Sequence, residues 1–436
     1  MPKESPAVER TDVKTGFRLR GLRWYIVGLL CLASGLNYLD RQTLSVLAQT
    51  IQDELHLTTV QYSQITSAFL ISYTVMYAVS GRLVDYLGTR RSFLLFVSGW
   101  SLANILHVFA RTALQFSFFR FLLGATESGN FPAGVKVVAE WFPLRERALA
   151  VGIFNAGTAV GAALAAPIVS GVALMWGWRS AFIAGGVLGI FWLVLWAVFF
   201  RLPKDHPWLG EDERERITDG EVEKRSGRQV SIRQLLSTRE AWGCIGARML
   251  TDPISYFFIF WTPKFLQQER GFDLAAIGKY SWIPFVAAAA GNVLGGAIPA
   301  RLVRDGWSLN RARKTVMLIA SLLMPLCCLS IVHVPQAGLA VALISVAMFS
   351  HGAWANITLP AEIFPKECVG SISGFAGCLG GAVGVVTQLA IGWTVQNISF
   401  TPVFAVSAFV HLAAFGLVCL LIGELGNTRR DLFAQR

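Results

Sequence analysis

Apolar runs about twenty residues long, each sufficient to cross a bilayer as a helix, recur along nearly the whole chain. Twelve are readable, at about 22–47, 61–86, 91–110, 113–140, 146–173, 178–200, 241–268, 277–302, 313–332, 336–360, 367–397 and 402–424. They are continuous rather than short and alternating, which excludes a β-barrel. Composition agrees: only 15% of the 436 residues are charged, against about 25% in ordinary soluble domains. The expected fold class is an all-α polytopic membrane protein of twelve transmembrane helices.

A net charge of +11 could point to nucleic acid, but its placement argues for topology. With the N-terminus inside, 29 of the 38 Lys and Arg fall on inside segments and adjoining helix ends. Five (Arg111, Arg179, Lys264, Arg270 and Lys279) fall outside. That bias predicts cytoplasmic termini, and no nucleic-acid partner is expected. The seven cysteines have no disulfide or metal spacing and read as small packing residues. Neither a metal nor a cofactor is expected. The first apolar run is a full span, so no signal peptide is expected, and no organellar targeting segment is visible. A bacterial inner membrane fits.

Residues 201–240 form the one long polar interruption, with mixed charge suited to a cytoplasmic linker. The expected organisation is a tail (1–21), a six-helix bundle (22–200), this linker, a second six-helix bundle (241–424) and a tail (425–436). The halves echo each other: EWFPLRERALAVGIFNAGTAVGAA at 140–163 resembles EIFPKECVGSISGFAGCLGGAVG at 362–384. Internal repetition of this kind is expected of secondary transporters, in which two bundles rock about a midplane site. Gly152, Gly157 and Gly161, and later Gly377, Gly381 and Gly384, would let helix backbones approach closely.

Among the charged residues inside apolar runs, four stand out: Asp40, Arg41, Arg120 and Glu127. A charge at the centre of a membrane helix costs about 2.5–3.5 kcal/mol on insertion scales and usually marks a pathway. Arg120 and Glu127, seven residues apart, share a helix face about 10.5 Å apart along the axis. Asp40 and Arg41 are adjacent, so their side chains diverge by about 100°. Mutual neutralisation is one reading, although a buried ion pair rarely stabilises more than apolar packing would. The functional reading gives the arginines to a substrate carboxylate, which a guanidinium holds bidentately. The acids would then carry protons. A nearby guanidinium opposes protonation of a buried carboxyl, so occupying it with a carboxylate would favour protonation. Anion and proton binding would be linked.

The segment Gly81-Arg-Leu-Val-Asp85-Tyr-Leu-Gly88-Thr-Arg90-Arg91 is similar to the loop signature of the major facilitator superfamily. The resemblance implies that Asp85 and Arg90 belong to a charge network that latches the outward-facing state. Arg248 and Asp252, four apart on one helix face, would form a comparable inner gating network. Asn37-Tyr-Leu-Asp-Arg-Gln-Thr-Leu-Ser-Val and the R-F-L-L-G-A-x-E-x-x-x-F-P stretch at 120–132 look like the anion:cation symporter family, which carries sugar acids and other carboxylates. GLRWYIVGLL, QYSQITSAFLISYTVM and PAGVKVVAEWFPLRERALAVGIFNAG look closest to its bacterial hexuronate carriers.

Carried over by position, Arg41 would contact the substrate carboxylate. Glu127 and Asp40 would be proton sites, with Arg120 controlling Glu127. Tyr38, Tyr73, Asn155, Thr158, His351, Asn356, Thr358 and Gln388 would reach sugar hydroxyls. Two departures stand out: Ala287–Ala290 where relatives often place an acid, and Gly381 where aldonate carriers place an asparagine. The second argues against an identical aldonate pocket.

The expectation is proton-coupled symport of a hexuronate such as galacturonate or glucuronate, by a monomer and not an enzyme. Nothing resembles a P-loop. An aldonate, glucarate or aromatic carboxylate as substrate, Na⁺ in place of the proton, a passive uniporter and a transporter-like sensor remain the alternatives.

Overall fold

The structure, a computed structural model, describes residues 19–143, 145–218, 232–354 and 358–425. All regular structure among them is helical. The first part runs α1 (Leu22–Val46), α2 (Ala48–Leu55), α3 (Thr59–Leu87), α4 (Thr89–Leu106), α5 (Ala113–Glu127), α6 (Asn130–Trp141), α7 (Arg147–Trp176) and α8 (Trp178–Phe199). The polar stretch holds α9 (Glu211–Thr218) and α10 (Ile232–Leu236). Beyond it come α11 (Arg239–Arg270), α12 (Leu274–Tyr280), α13 (Ile283–Arg304), α14 (Leu309–His333), α15 (Ala337–Trp354), α16 (Leu359–Ile363), α17 (Lys366–Asn397) and α18 (Thr401–Leu421).

Ten helical stretches among the described residues are long and apolar enough to cross a membrane. The two remaining expected spans, 113–140 and 241–268, fall short for chemical reasons. The second lies in α11, which carries Arg248, Asp252 and Lys264. The first is divided between α5 and α6. Pro132 has no N–H to offer the Ser128 carbonyl one turn back, and Ser80 Oγ on α3 contacts that carbonyl instead, at 3.5 Å. Ser128 and Gly129 stay right-handed (φ −59° and −76°), so the chain runs on through a kink. Glu127 sits at that kink.

Helices α1, α3, α4, α5, α7 and α8 pack among themselves, as do α11, α13, α14, α15, α17 and α18. The seam between the two sets is formed by α3 with α17, α7 with α12 and α13, and α1 with α11. In the first set α1 and α7 touch backbone to backbone: a Cβ on Gly157 or Gly161 would overlap the carbonyls of Cys31 and Gly35. The acids that open the two E-x-F-P segments are held by different groups. Thr89 Oγ1 donates to Glu140 (2.7 Å), and Arg313 is ion-paired with Glu362.

Hydrogen bonds across the seam cluster at the end of the molecule that carries α2. Lys264 Nζ donates to Gln52 Oε1, Tyr62 Oη to the Phe260 carbonyl (2.6 Å), and the Val60 amide to Gln396 (2.9 Å). Phe69 and Phe260 add an edge-on ring contact (6.3 Å).

At the opposite end, part of the polar stretch is docked rather than solvated. Glu213 of α9 accepts from the amides of Gly21 (3.0 Å) and Leu22 (3.2 Å), placing a carboxylate on the N-terminal dipole of α1. Arg23 bridges Glu213 (2.8 Å) and Glu146 (3.1 Å). His206 accepts the Trp208 amide on Nδ1 (3.2 Å), so the pattern assigns its proton to Nε2, 3.0 Å from the Phe199 carbonyl. Burial holds this imidazole below its ordinary 6.5.

Candidate substrate and proton site

Adjacent residues of α1 serve two separate polar clusters, as the 100° divergence per residue requires. Arg41 faces α3 and α5. Its Nε and Nη2 reach one oxygen of Glu127, Oε2, at 3.1 and 3.0 Å, and Nη2 also donates to Asn37 Oδ1 (3.3 Å). The side chains are 6% and 0% exposed, a buried pair. Three rings surround the guanidinium: Tyr38 at 4.6 Å, Tyr73 at 4.7 Å and Phe69 at 5.0 Å. Aromatic faces attract a cation that has lost water, so the ring cage holds Arg41 whether or not Glu127 is charged.

Asp40 faces α4 and α8. Asn104 Nδ2 donates to Asp40 Oδ1 (2.9 Å) and to the Phe182 carbonyl (3.2 Å). Gly185 opens the space, because any Cβ there would overlap both Asp40 and Asn104. Arg120 is buried beside both clusters, and its Nη1 meets only the Arg41 carbonyl (3.5 Å). No ion pair joins Arg120 to Asp40 or Glu127 among the described residues. Mutual neutralisation therefore describes one pair, Arg41 with Glu127, and not the other. Asp40 Oδ2, Glu127 Oε1 and Arg120 Nε and Nη2 are buried without a hydrogen-bond partner. Other buried polar atoms also go unpartnered, Asn104 Oδ1 and His107 Nε2 among them, but these four belong to acids and a guanidinium that a proton or a small anion would satisfy.

Tyr38, Tyr73, Tyr77 and Tyr256 are partly buried and keep some accessible surface. Tyr73 is within hydrogen-bond reach of Arg41. Across the seam, Arg248 contacts Asp252 Oδ2 through Nε (2.9 Å) and Nη2 (2.8 Å), and the Ser373 carbonyl through Nη1 (3.2 Å). Tyr256 lies within electrostatic reach of Arg248, Asp252, Tyr73 and Arg41.

The remaining predicted positions scatter. Gln388 is buried at the seam, taking Trp261 Nε1 at 2.7 Å and Thr66 Oγ1 at 3.5 Å. Asn155 is exposed, and Thr158 bonds back to the Asn155 carbonyl (2.7 Å). His351 meets His411 of α18, Nδ1 to Nε2 at 3.1 Å. Thr358 lies at the start of α16, near Glu362. Asn356 lies outside the described residues. Asp85 pairs with Lys136 (2.7 Å), while Arg90 donates to the Ala197 carbonyl (2.9 Å). Sequence reasoning missed Lys136, Asn104, Phe69, Tyr77 and Tyr256. Lys136 had a signal, a cation inside a span four residues before Glu140; the others carried none.

This helical array around a buried ion pair defines a multi-pass membrane transporter rather than an enzyme. Residues 30–387 match the Major Facilitator Superfamily, to which the chain belongs. It is 33% identical over 417 residues to the hexuronate transporter of Escherichia coli K12, covering 93% of this chain and 94% of that one. It is 36% identical over 313 residues to the galacturonate transporter of Dickeya chrysanthemi, covering 71% and 90%. Its fold is similar to the inward-open xylose transporter XylE of E. coli, at TM-score 0.71 and 16% identity, covering 94% and 99%.

Proposed function

We propose that this protein imports a hexuronate, such as galacturonate or glucuronate, together with a proton. The observation that carries the reading is the Arg41–Glu127 pair inside its ring cage. While Glu127 is ionised, it occupies two guanidinium donors. Protonating it dissolves the ion pair and leaves a fork suited to a substrate carboxylate. The proton thus prepares the anion site, and the anion in turn retains the proton, which is the reciprocal coupling of symport. Asp40, held by Asn104, is the second proton site, and Arg120 acts on both acids from the side. Tyr38 and Tyr73 offer hydroxyls to the sugar.

The frame for this chemistry is twelve spans in two bundles, 22–200 and 241–424, joined by 201–240, with cytoplasmic termini in a bacterial inner membrane. The end closed by Lys264, Gln52 and Tyr62 then faces outward, and the described state opens inward. Asp85 and Arg90 would belong to the network that latches the outward-facing state. The similarity to hexuronate and galacturonate carriers supports the substrate class, and Gly381 supports a pocket unlike that of the aldonate carriers.

The test is uptake of radiolabelled galacturonate into proteoliposomes, with and without an inward proton gradient. Accumulation above equilibrium only with the gradient is expected. Gradient-independent equilibration would mean a uniporter, and dependence on Na⁺ would replace the proton.

A further inference from the structure

Arg248 and Asp252 sit on α11, and Tyr256 of the same helix lies within electrostatic reach of both and of Tyr73 and Arg41 across the seam. Both keep surface, 20% and 13% of their side chains. Two glycines of α17 make room for them. A Cβ on Gly377 would lie 2.9 Å from Arg248 Nη1, and one on Gly380 2.6 Å from Asp252 Oδ2. Gly157 and Gly161 of α7 instead bring two backbones into contact. On α17 the close approach houses a charge pair.

We propose that Asp252 sets selectivity for a monoanionic sugar acid over a dianionic one, by keeping Arg248 charge-compensated. The inference rests on the proposed sugar-acid transport. Arg41 and Arg248 differ in how their carboxylate partners behave. Glu127 releases Arg41 when it takes the coupling proton, so Arg41 acquires an unmatched charge in each cycle. Asp252 is assigned no such role, and its Oδ2 contacts Nε and Nη2 of Arg248 at 2.9 and 2.8 Å. Of the two guanidiniums within electrostatic reach of Tyr256, Arg41 and Arg248, only Arg41 is then left uncompensated, which matches one carboxylate. The Arg248–Asp252 pair supplies a donor and an acceptor suited to sugar hydroxyls. An aldarate, the same carbon chain with a carboxylate at both ends, would bring its second charge against Asp252, a like-charge contact of the kind that excludes wrong ligands.

The experiment is competition by unlabelled galacturonate and galactarate against labelled galacturonate. It uses full-length protein in proteoliposomes, with ligand-induced thermal shifts of purified protein as a second readout. Wild type should prefer galacturonate. Asp252→Asn should move the galacturonate-to-galactarate affinity ratio about tenfold towards galactarate, and adding Arg248→Gln to it should reverse that gain. Gly380→Ala, which crowds Asp252 off Arg248, should shift the ratio in the same direction and provides an independent route if Asp252→Asn is not recovered. A ratio unchanged within about twofold in a variant that still binds galacturonate would overturn the inference while leaving the transport function intact. Failure of wild type to bind or carry either acid would instead overturn the proposed function.

Discussion

Arg41 on α1 and Glu127 at the kink between α5 and α6 share a single carboxylate oxygen, with both guanidinium contacts at 3.0–3.1 Å and neither side chain reaching bulk water. The two residues are 86 positions apart. Removing one partner of a buried pair usually leaves an uncompensated charge and is strongly destabilising. Here the ring cage and Asn37 hold Arg41 independently, so the pair can open without abandoning the cation.

Glu127→Gln therefore mimics the protonated carboxyl. It should still exchange labelled for unlabelled galacturonate across the membrane, while gradient-driven accumulation falls about tenfold or more. Counterflow and uptake in the same proteoliposomes separate the two. Accumulation persisting in this variant would remove Glu127 from the coupling.

Arg41→Lys keeps the charge and loses the fork. An ammonium is a point charge that cannot hold a carboxylate bidentately, so KM for galacturonate should rise about tenfold. Unchanged KM would place the carboxylate elsewhere.

Gly161→Leu should force α1 from α7, because even a Cβ overlaps the Gly35 carbonyl. Transport should fall about tenfold or more in protein that reaches the membrane. Gly152→Ala, on the same helix with nothing within 4 Å of its Cβ, should transport like wild type. Equal losses in both would mean that helix propensity, not close approach, governs this helix.

The linker offers a pH test outside the membrane. His206 is held neutral by burial. A histidine with its folded pKa depressed contributes stability above its unfolded value near 6.5, and loses it as pH falls towards the folded value. The 201–209 segment should therefore loosen as pH drops below about 6.5. Hydrogen exchange of the Trp208 and Leu209 amides, compared with Glu213-capped Leu22, reads it. Greater protection at lower pH would contradict the account.

Much of this was legible in the chain. Long apolar runs can only be membrane helices or a large core, and the buried charges stood out against them. The divergence of Asp40 and Arg41 followed from helical geometry alone. What sequence could not supply was the partner of each charge. Asn104 reaches Asp40 across 64 residues, and nothing in its neighbourhood distinguishes it from a packing asparagine. Glu213 reads as a solvated acid until α9 folds onto the start of α1. Spacing placed Arg120 on the Glu127 face, but the shared face did not make an ion pair. Such contacts depend on how helices distant in sequence are rotated against each other, which local pattern does not encode.

The central claim, that binding the sugar acid and binding a proton are one linked event at Arg41 and Glu127, is most directly tested by proton uptake. Purified protein in weakly buffered detergent solution with a pH indicator receives saturating galacturonate near neutral pH. Wild type should take up a proton fraction approaching about one per site and Glu127→Gln markedly less, with binding of both verified calorimetrically. Saturating binding to wild type without any change in bound protons would contradict the account.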